Sequence, residues 1–511
     1  MAGAGVAARV AEEAASGGTE AAVGSTACPA PARPFVLVAT ILASAMAFID
    51  ANVVNIALPA IQRDLGAGFA AVQWVVNAYA LLLGGLILIG GAAGDRFGRK
   101  RIFLLGIALF GLSSLACALA PTAGTLIAAR AAQGLGAALL VPQSLAIIAA
   151  TFPKAVRGHA IGIWAGASAI TTSMGPPLGG ILVDLLDWRA VFWVNLPFSA
   201  AALWFAARHI AESRNAGASG SLDWPGAVLA ITAFGALTVG LTLFSDAGGP
   251  VWPALALLAV AAGALVLFLR VEATAPSPLV PLALFADRAF AAANLLTLFL
   301  YGALRGIMFL LPFELIARRG LSAIEVGLTL LPVGLMIGLV SRRSGAWADR
   351  HGPARLLVAG SLLVGGAAAV LAVQIGAFVP GIALPVAMLA CGMALVVAPL
   401  TTAVMNAAAD DRVGAASGIN NAASRIAGLL SVAVLGSIAG MIYFGQVDGA
   451  GLAHAGLRFG VLPAPGEADR AVLEAAFDTA YAAAMAAAAV LGVLAALVAH
   501  RHLRPAPGGG A

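Results

Sequence analysis

The stretch GDRFGRKR (Gly94–Arg101) is a short basic segment between two long apolar runs, and ADRHGPAR (Ala348–Arg355) repeats its pattern. Each segment opens with Asp-Arg-x-Gly and closes on a basic residue, and the two lie eight apolar runs apart. Two repeats of six helices with two further helices between them produce this spacing. Repeats whose matching loops lie on one side of a membrane are related by an axis along the membrane normal. The spacing therefore predicts two six-helix halves and fourteen membrane-spanning helices.

The composition places the chain in a lipid bilayer. Of its 511 residues, 61% are hydrophobic and 10% are charged, whereas a soluble domain has about 45–50% apolar and about 25% charged residues. Continuous apolar runs of roughly 20 residues, enough for one helical crossing, recur along the whole length. They do not alternate with polar residues as barrel strands do. We predict an all-α integral membrane protein.

The basic residues predict the orientation. With the N-terminus inside, 19 of the 28 Lys and Arg residues fall on the cytoplasmic side, 6 on the outer side and 3 within spans. Such a bias marks the cytoplasmic side. We therefore predict a multi-pass protein of the cell membrane with both termini in the cytoplasm. The loop bases also explain the net charge of +5, so we exclude nucleic acid as a partner.

The predicted organisation has seven consecutive parts. These are a disordered cytoplasmic tail (1–34), an N-terminal six-helix half (35–208), a cytoplasmic linker (209–223), two extra helices (224–270), a second cytoplasmic linker (271–288), a C-terminal six-helix half (289–499) with an outer loop (443–474), and a cytoplasmic tail (500–511). The outer loop is the longest predicted loop, and it carries no recognisable chemical motif.

One carboxylate lies deep within a predicted span. Asp50 interrupts the apolar run FIDANVVNIALP (48–59), where insertion scales put the cost of a charge at roughly 2.5–3.5 kcal/mol. Nearly all other acids, and all six histidines, fall in tails, loops or span ends. Asp50 is therefore the first candidate to carry a proton. Arg130 and Arg305 fall at comparable depths, and either could hold Asp50 ionised. The alternative is a purely structural ion pair.

Further polar residues interrupt the apolar spans. Asn52 and Asn55 lie roughly 60° apart around the first helix, at 100° per residue. They either face a cavity or form hydrogen bonds between helices. Arg425, in the thirteenth span, either contacts a substrate or bridges helices. The candidates to line a substrate cavity are Asn52, Asn55, Gln133, Gln143, Arg305, Glu314 and Arg425.

The first basic loop has a mechanical interpretation. Gly91 and Gly94 would let the second and third helices approach closely, and Asp95 can lie near a helix N-terminus, where its charge is favourable by about 0.3–1 kcal/mol. A loop that only set the orientation would need the bases but neither the glycines nor the acid. We therefore expect a conformational latch at the gate. Its predicted members are Gly91, Asp95, Arg96, Gly98, Arg99, Asp349 and Arg350.

The fifth span combines prolines with glycines in GASAITTSMGPPLGG (Gly166–Gly180). Prolines remove backbone donors and bend a helix, and glycines permit close packing around the bend. A bend at the interface of the halves suits a gate, and the alternative is a kink without function. The predicted hinge consists of Gly166, Gly175, Pro176, Gly179 and Gly180.

The sequence shows no motif of catalysis or cofactor binding. It contains no GxxxxGKS/T run, no nucleophile elbow and no cluster with metal-ligand spacing. The three cysteines (Cys28, Cys117 and Cys391) lie in the tail and in two apolar segments, and they form no disulfide framework. We expect no enzyme, no catalytic residue, no cofactor and no metal site.

Five motifs follow one another between residues 50 and 197. They are DANVVNIALP (50–59), GAAGDRFGRKR (91–101), RAAQGLGAA (130–138), GASAITTSMGPPLGG (166–180) and WRAVFWVNLP (188–197). Together they resemble the major facilitator superfamily, in its fourteen-helix drug:proton antiporter branch, and the resemblance covers about residues 35 to 441. The resemblance implies export of amphipathic drugs or antibiotics by alternating access, with the proton gradient as the energy source.

The resemblance also implies roles by position. Asp50 and Arg130 would couple transport to protons, and Asp95 and Arg99 would latch the cytoplasmic gate. The Gly-Pro pair of the fifth span would form the antiporter hinge. The family's substrates are often cationic, but Arg305 stands in a usually apolar stretch. It therefore leaves anionic and neutral substrates open.

Two other functions are alternatives. An exporter of a specific metabolite or siderophore would share the fold, and ligand-induced thermal shifts across a compound panel would separate it from a drug exporter. A non-transporting membrane sensor or scaffold would lack the coupling acid and the gate motifs, which are present here. The expected partners are a small-molecule substrate, protons and the lipid bilayer, and we expect a monomer.

Overall fold

The structure is a bundle of long helices. The computed structural model describes residues 33–214, 222–245, 250–276, 278–409, 412–452, 457–461 and 469–503. In this part of the chain there are fourteen long α-helices. They are α1 (Arg33–Asp64), α2 (Phe69–Phe97), α3 (Arg99–Ala118), α4 (Ala123–Thr151), α5 (Lys154–Leu185), α6 (Asn195–His209), α7 (Trp224–Thr242), α8 (Trp252–Thr274), α9 (Arg288–Phe313), α10 (Ala323–His351), α11 (Ala354–Val373), α12 (Leu384–Asn406), α13 (Val413–Gly449) and α14 (Arg470–His502).

Several helix starts are set by caps that the sequence carries. Thr122 and Thr125 form a capping box at the start of α4, and Ser322 and Glu325 form another at α10. Asp287 accepts a hydrogen bond at 2.9 Å from a backbone N–H in the first turn of α9. Such caps satisfy N–H groups that have no partner within the helix. They fix where these spans begin.

The two halves pack their helices in the same pattern. In the first half, α2 packs on α4, α3 packs on α4 and α6, and α1 packs on α5 and α6. In the second half, α10 packs on α12, α11 packs on α12 and α14, and α9 packs on α13 and α14. The equivalent helices run in the same direction, so the halves are related by an axis along the membrane normal. The predicted fold of two six-helix halves with two extra helices is confirmed.

Two helix pairs join the halves. The fifth helix of the first half, α5, packs on α10, and α2 packs on α13, the fifth helix of the second half. The extra helices α7 and α8 pack on each other, and α7 also contacts α2 and α13. The extra pair therefore lies beside the contact between α2 and α13.

The halves are in contact on one side of the molecule. An even number of crossings puts both chain ends on the same side, which we name the terminus side, and we name the opposite side the far side. On the far side, the ring of Phe69 from α2 lies 5.8 Å from Phe309 and 6.0 Å from Phe313 of α9. Phe459, which follows α13, stacks on Phe69 at 4.2 Å. These rings close the far side.

A carboxylate adds a second far-side contact between the halves. Asp184, near the end of α5, accepts hydrogen bonds from the backbone N–H groups of Ala323 at 3.2 Å and Ile324 at 2.7 Å. These are the first N–H groups of α10, where a negative charge is favourable. One half thus caps a helix of the other.

The same two helices are apart on the terminus side. No described atom lies within 4 Å of the position that a Cβ would take at Gly166 of α5 or at Gly338 of α10. Ile170 is 66% exposed and Leu339 is 71% exposed. The described conformation is therefore closed on the far side and open along α5 and α10 on the terminus side.

Two helices continue beyond their predicted limits. α1 passes through Pro59 and ends more than a turn later, because a span tolerates one missing donor when neighbouring helices pack around it. α13 continues to Gly449 and α14 begins at Arg470, so the predicted outer loop 443–474 is shorter at both ends. The extra turns of α13 form because they bury Tyr443.

The predicted tails and linkers are also partly helical. α1 begins at Arg33, inside the predicted tail 1–34, and α8 extends to Thr274, inside the predicted linker 271–288. Parts of the predicted tails, linkers and outer loop lie outside the described residues. Those parts are 1–32, 215–221, 277, 453–456, 462–468 and 504–511.

Candidate functional site

Asp50 and Arg130 form a buried ion pair between α1 and α4. The Arg130 Nη1 atom donates to Asp50 Oδ2 at 2.5 Å, and neither side chain is more than 2% exposed. A buried carboxylate keeps its charge only when an opposite charge or hydrogen bonds replace its lost hydration. The sequence left open which arginine meets Asp50. The structure shows that it is Arg130.

Neutral side chains complete the environment of Asp50. Gln133 and Asn195 donate to Asp50 Oδ1 at 3.0 and 3.3 Å. Both also donate to the hydroxyl oxygen of Ser114. Gln133 in turn accepts a hydrogen bond from Arg130 at 2.6 Å. The first half alone therefore supplies a hydrogen-bonded network around the carboxylate.

Contacts with α2 orient the guanidinium of Arg130. Its Nε donates to the carbonyl of Val75 at 3.0 Å, and its central carbon lies 4.3 Å from the centroid of the Tyr79 ring, which is a cation–π contact. Gly134, one turn along α4, permits this approach, because a Cβ there would overlap the carbonyl oxygen of Tyr79. The arginine is therefore held on both sides, with Asp50 as its only acid in the described network.

A cavity lies between the two halves beside this pair. The first half contributes residues of α1, α2 and α4, and the second half contributes residues of α9 and α13. The lining residues are Ala51, Val54, Asn55, Val76, Tyr79, Ala80, Leu83, Arg130, Arg305, Ser424, Arg425, Gly428 and Val432. About 580 Å³ there is free of protein atoms, a volume that includes space open to solvent. A drug-sized ligand usually occupies a pocket of roughly 300–1,000 Å³, so the cavity has the scale of a ligand site.

Two arginines of the second half face this cavity. Arg305 of α9 and Arg425 of α13 both line it. Among the described residues, no carboxylate oxygen lies within 4 Å of either guanidinium. The Nε atom of Arg425 is buried and has no hydrogen-bond partner in the same part of the chain. The side chain of Arg305 lies over Gly428, with its Cγ 3.2 Å from where a Cβ would stand.

Two asparagine candidates have different surroundings. Asn55 lines the cavity, as predicted. Asn52 donates to the carbonyl of Phe48 in its own helix at 2.7 Å, and its Cβ faces Gly175 of α5. Asn52 is therefore part of the α1–α5 contact, and its amide nitrogen bonds within α1.

Two other predicted cavity residues lie elsewhere. Glu314 begins a π-helical turn at the far end of α9, where Arg319, five residues on, comes within 2.8 Å of its carboxylate. Gln143 donates to the carbonyl of Gly90 at 2.7 Å and to that of Gly91 at 3.3 Å. Each side chain is oriented by a nearby partner, and neither is among the residues that line the cavity.

The first basic loop contains a local ion pair. Arg99 Nη2 lies 2.8 Å from Asp95 Oδ1, so the predicted latch pair forms within one loop. Gly98 has a φ of +114°, which favours glycine. Glu212, which follows α6, accepts hydrogen bonds at 3.1 and 3.3 Å from two backbone N–H groups in the first turn of α3. Glu212 therefore supplies the negative charge at this N-terminus, where we had expected Asp95.

The glycines of this loop pack differently from the prediction. A Cβ at Gly90 would overlap the carbonyl oxygen of Ala138, and one at Gly94 would overlap the side chain of Gln143. Both contacts are with α4, whereas we had predicted close packing with α3. Gly91 has only an ordinary contact at 3.7 Å. Adjacent residues point about 100° apart around a helix, so Gly90 meets the backbone of α4 directly, whereas Gly91 has only an ordinary contact with Pro142 of the same helix.

The second basic loop has no matching pair. Asp349 and Arg350 are exposed at the end of α10, as Arg96 is in the first loop. Asp349 has no ion pair with any described residue. Pro353 stands four residues after Asp349, at the position equivalent to the arginine of the first loop. The second half therefore keeps the loop without its ion pair.

The predicted hinge glycines have two kinds of surroundings. α5 is continuous through Pro176. Gly175 and Gly179 face α1, where Cβ atoms would lie 2.8 and 3.1 Å from the nearest atoms, and Gly180 faces the first backbone carbonyl of α10. Gly166 faces open space among the described residues. Close packing is thus confined to the far-side part of the predicted hinge.

Sequence reasoning missed several residues of the ion-pair network. Asn195 is a polar residue in an apolar span, as Asp50 is, and the same criterion applied to amides identifies it. Tyr79 and Ser114 carry no such signal, because single hydroxyl residues are frequent in membrane helices. Only the register between α2, α3 and α4 brings Tyr79 to Arg130 and Ser114 to Gln133.

A buried ion pair beside a cavity between two same-side helical repeats is the architecture of a secondary membrane transporter. The family model of the Major Facilitator Superfamily matches residues 40–432, and the chain belongs to this family. The protein is therefore a transporter and not an enzyme, as the sequence predicted.

Relatives and solved structures agree with this assignment. Multidrug resistance protein Stp of Mycobacterium tuberculosis is 36% identical over 403 residues, which cover 79% of this chain and 75% of that protein. Methylenomycin A resistance protein of Streptomyces coelicolor is 33% identical and covers 77% of this chain and 83% of that protein. The crystal structure of a bacterial homologue of the human lysosomal transporter Spinster superposes with a TM-score of 0.68 at 19% identity, over 94% of this chain and 99% of that one.

Proposed function

We propose that the protein is a proton-coupled antiporter that exports drugs, antibiotics or similar amphipathic molecules from the cytoplasm across the cell membrane. The terminus side is then the cytoplasmic side, in agreement with the bias of the loop charges. The observation that carries the proposal is the buried Asp50–Arg130 pair beside the cavity between the halves. The names of the two relatives, which refer to multidrug and methylenomycin A resistance, support the substrate class.

The proton step takes place at Asp50. When its carboxylate takes up a proton, the attraction to Arg130 is lost, and Arg130 keeps only its bonds to Gln133 and the Val75 carbonyl. A charged guanidinium beside the cavity is then uncompensated. Because an uncompensated buried charge is costly, the protonated protein favours a different arrangement of α1, α4 and their neighbours.

Alternating access follows if the two arrangements differ in which side is open. The described arrangement is closed by the far-side aromatic rings and by Asp184, and α5 and α10 are apart on the terminus side. A proton and a substrate that each prefer one arrangement shift the population between the two, and the shift is limited by that preference. The proton gradient supplies the energy, so the proposed mechanism requires no cofactor.

The test uses Asp50→Asn in everted membrane vesicles. A resistance profile in a pump-deficient host, with and without a protonophore, first supplies a transported compound. Wild-type vesicles are expected to release protons when this compound is added, and Asp50→Asn vesicles are expected to release none.

Asp469→Asn removes an exposed acid at the start of α14 and serves as the matched control. The three proteins are compared at equal membrane levels and after each elutes as a single species in size exclusion, because Asp50→Asn is also expected to be less stable. Unchanged compound-driven proton release in Asp50→Asn would contradict the proposal.

A further inference from the structure

We propose that the cavity binds an anionic group of its substrate through Arg305 and Arg425. The exported molecules are then amphipathic compounds that carry a carboxylate or a comparable anion. This inference rests on the proposed export function, and it specifies the chemical class that the same cavity accepts.

The balance of charge in the cavity supports an anion. Three guanidiniums line it, and no Asp or Glu is among the described lining residues. Asp50 neutralises Arg130, so Arg305 and Arg425 are left with two positive charges. Groups of this kind are rarely left without a compensating partner inside a protein. A substrate anion supplies that partner, whereas a cationic drug would add repulsion at the same place.

The two arginines are also placed to act together. Arg305 Cγ lies over Gly428, and Gly428 is three residues after Arg425 on α13, which puts them on the same helix face. Arg305 therefore packs against the helix that carries Arg425, and both side chains line the same cavity. Two guanidiniums in one cavity suit the two oxygens of a carboxylate, since each can donate a charge-assisted hydrogen bond. Ser424 and Asn55 add neutral polar groups to the lining.

The site also borders an interface between the halves. The Cβ of Arg425 lies 3.2 Å from where a Cβ would stand at Gly84 of α2, and the α2–α13 pair is one of the helix pairs that join the halves. An anion that draws Arg425 toward Arg305 therefore acts directly on the contact between α2 and α13. Binding at this place can favour one arrangement of the halves over the other.

The experiment compares two dyes with the same ring system and opposite charge. Fluorescein is anionic and tetramethylrhodamine methyl ester is cationic, and both are xanthene dyes. Their binding to the full-length protein in nanodiscs of neutral lipid is followed by fluorescence polarisation. We expect wild type to bind fluorescein at least about tenfold more tightly than the rhodamine. One net hydrogen bond to a charged group is strong enough to change a dissociation constant by about this factor. No preference, or a preference for the rhodamine, would overturn the proposal.

Variants assign the preference to the two arginines. Arg305→Gln and Arg425→Gln are each expected to weaken fluorescein binding roughly tenfold or more, while rhodamine binding stays the same or improves. Arg425→Lys keeps the charge and is expected to recover part of the fluorescein affinity. Arg343→Gln removes an exposed arginine of α10 and is the matched control, with no expected change. Elution as a single species in size exclusion verifies that each variant is folded.

Two further outcomes separate this inference from its alternatives. The first outcome concerns the double variant Arg305→Gln with Arg425→Gln. If it binds fluorescein as tightly as wild type, and differs only in that chloride no longer weakens fluorescein binding, the arginines hold an inorganic anion, and the proposal is wrong. If the dye ratio depends on both arginines while Asp50→Asn still releases protons on transport, the anion site stands and the proton-coupling proposal fails. The converse pair of results retains proton coupling and removes the anion site.

Discussion

The two halves of the chain pack six helices in the same pattern, but they place different charges at the cavity between them. The first half contributes Asp50 and Arg130, which neutralise each other within a network of hydrogen bonds. The second half contributes Arg305 and Arg425, which have no acidic partner in the described part of the chain. Among the described residues, a repeated scaffold thus carries a neutral pair on one side of the cavity and two positive charges without an acidic partner on the other.

This difference suggests why a duplicated fold serves a transporter. Under the proposed function and the anion site inferred from it, the first half exchanges a proton and the second half binds the substrate anion. The two ligands then bind to residues of different halves. They oppose each other because they favour different arrangements of the halves, and not because they bind to the same atoms. Coupling between two sites requires only that each ligand prefers one of two shared states.

The largest expected effect is on stability when the neutral pair is broken. Asp50→Asn leaves Arg130 buried without a counter-charge, and the loss of one partner of such a pair costs roughly 3–5 kcal/mol. Arg425→Gln removes a charge that has no partner, so it is expected to leave the free energy of unfolding unchanged or raise it by about 1 kcal/mol. Both are measured by unfolding in mixed detergent micelles.

A double variant provides the control for this comparison. Asp50→Asn with Arg130→Gln removes both charges and is expected to recover much of the lost stability, because no unpaired charge remains. Equal destabilisation by Asp50→Asn and Arg425→Gln would show that the two halves are not different in the way described, and that Arg425 has a stabilising partner.

A smaller effect is expected at the contact between the halves. Gly180 of α5 faces the first carbonyl of α10 so closely that a Cβ would overlap it, whereas Gly166 faces open space among the described residues. Gly180→Ala is therefore expected to disfavour far-side closure by about 1–3 kcal/mol, and Gly166→Ala is expected to have no steric effect in this arrangement. Distances between spin labels at the far ends of α5 and α10 measure the closure. A shift in Gly166→Ala without one in Gly180→Ala would contradict the described packing.

The fold was largely predictable because it rests on local patterns. Apolar runs of spanning length and the repeat of the Asp-Arg-x-Gly loop determine the number and order of helices. Asp50 was predictable for a similar reason, since a carboxylate in an apolar run is conspicuous without knowledge of its neighbours. Its pairing with Arg130 required the structure, because Arg130 and Arg305 lay at comparable depth on two helices.

Other charged residues make contacts at helix ends, and two of these contacts are distant in sequence. Nothing near Glu212 indicates that it meets α3, more than 100 residues earlier, and nothing near Asp184 indicates α10. Glu314 was predicted to line the cavity. In the structure it forms an ion pair with Arg319, five residues later, across a π-helical turn. In each case the charged residue or its partner lies at the end of a helix. Hydrophobic periodicity does not specify how the chain is oriented at such an end.

The smallest expected effects compare the two basic loops. Asp95→Asn removes a partly exposed ion pair, which is expected to cost up to about 1 kcal/mol, and Glu212→Gln weakens the cap of α3 by a similar amount. Asp349→Asn in the second loop changes an exposed residue without an ion pair in the described chain, and its effect is expected to stay within about 0.5 kcal/mol. Unfolding in mixed micelles measures all three. If Asp349→Asn lowered the free energy of unfolding as much as Asp95→Asn does, Asp349 would form an ion pair only in another arrangement of the halves. Pro353→Arg, which restores the missing base, would then stabilise that arrangement.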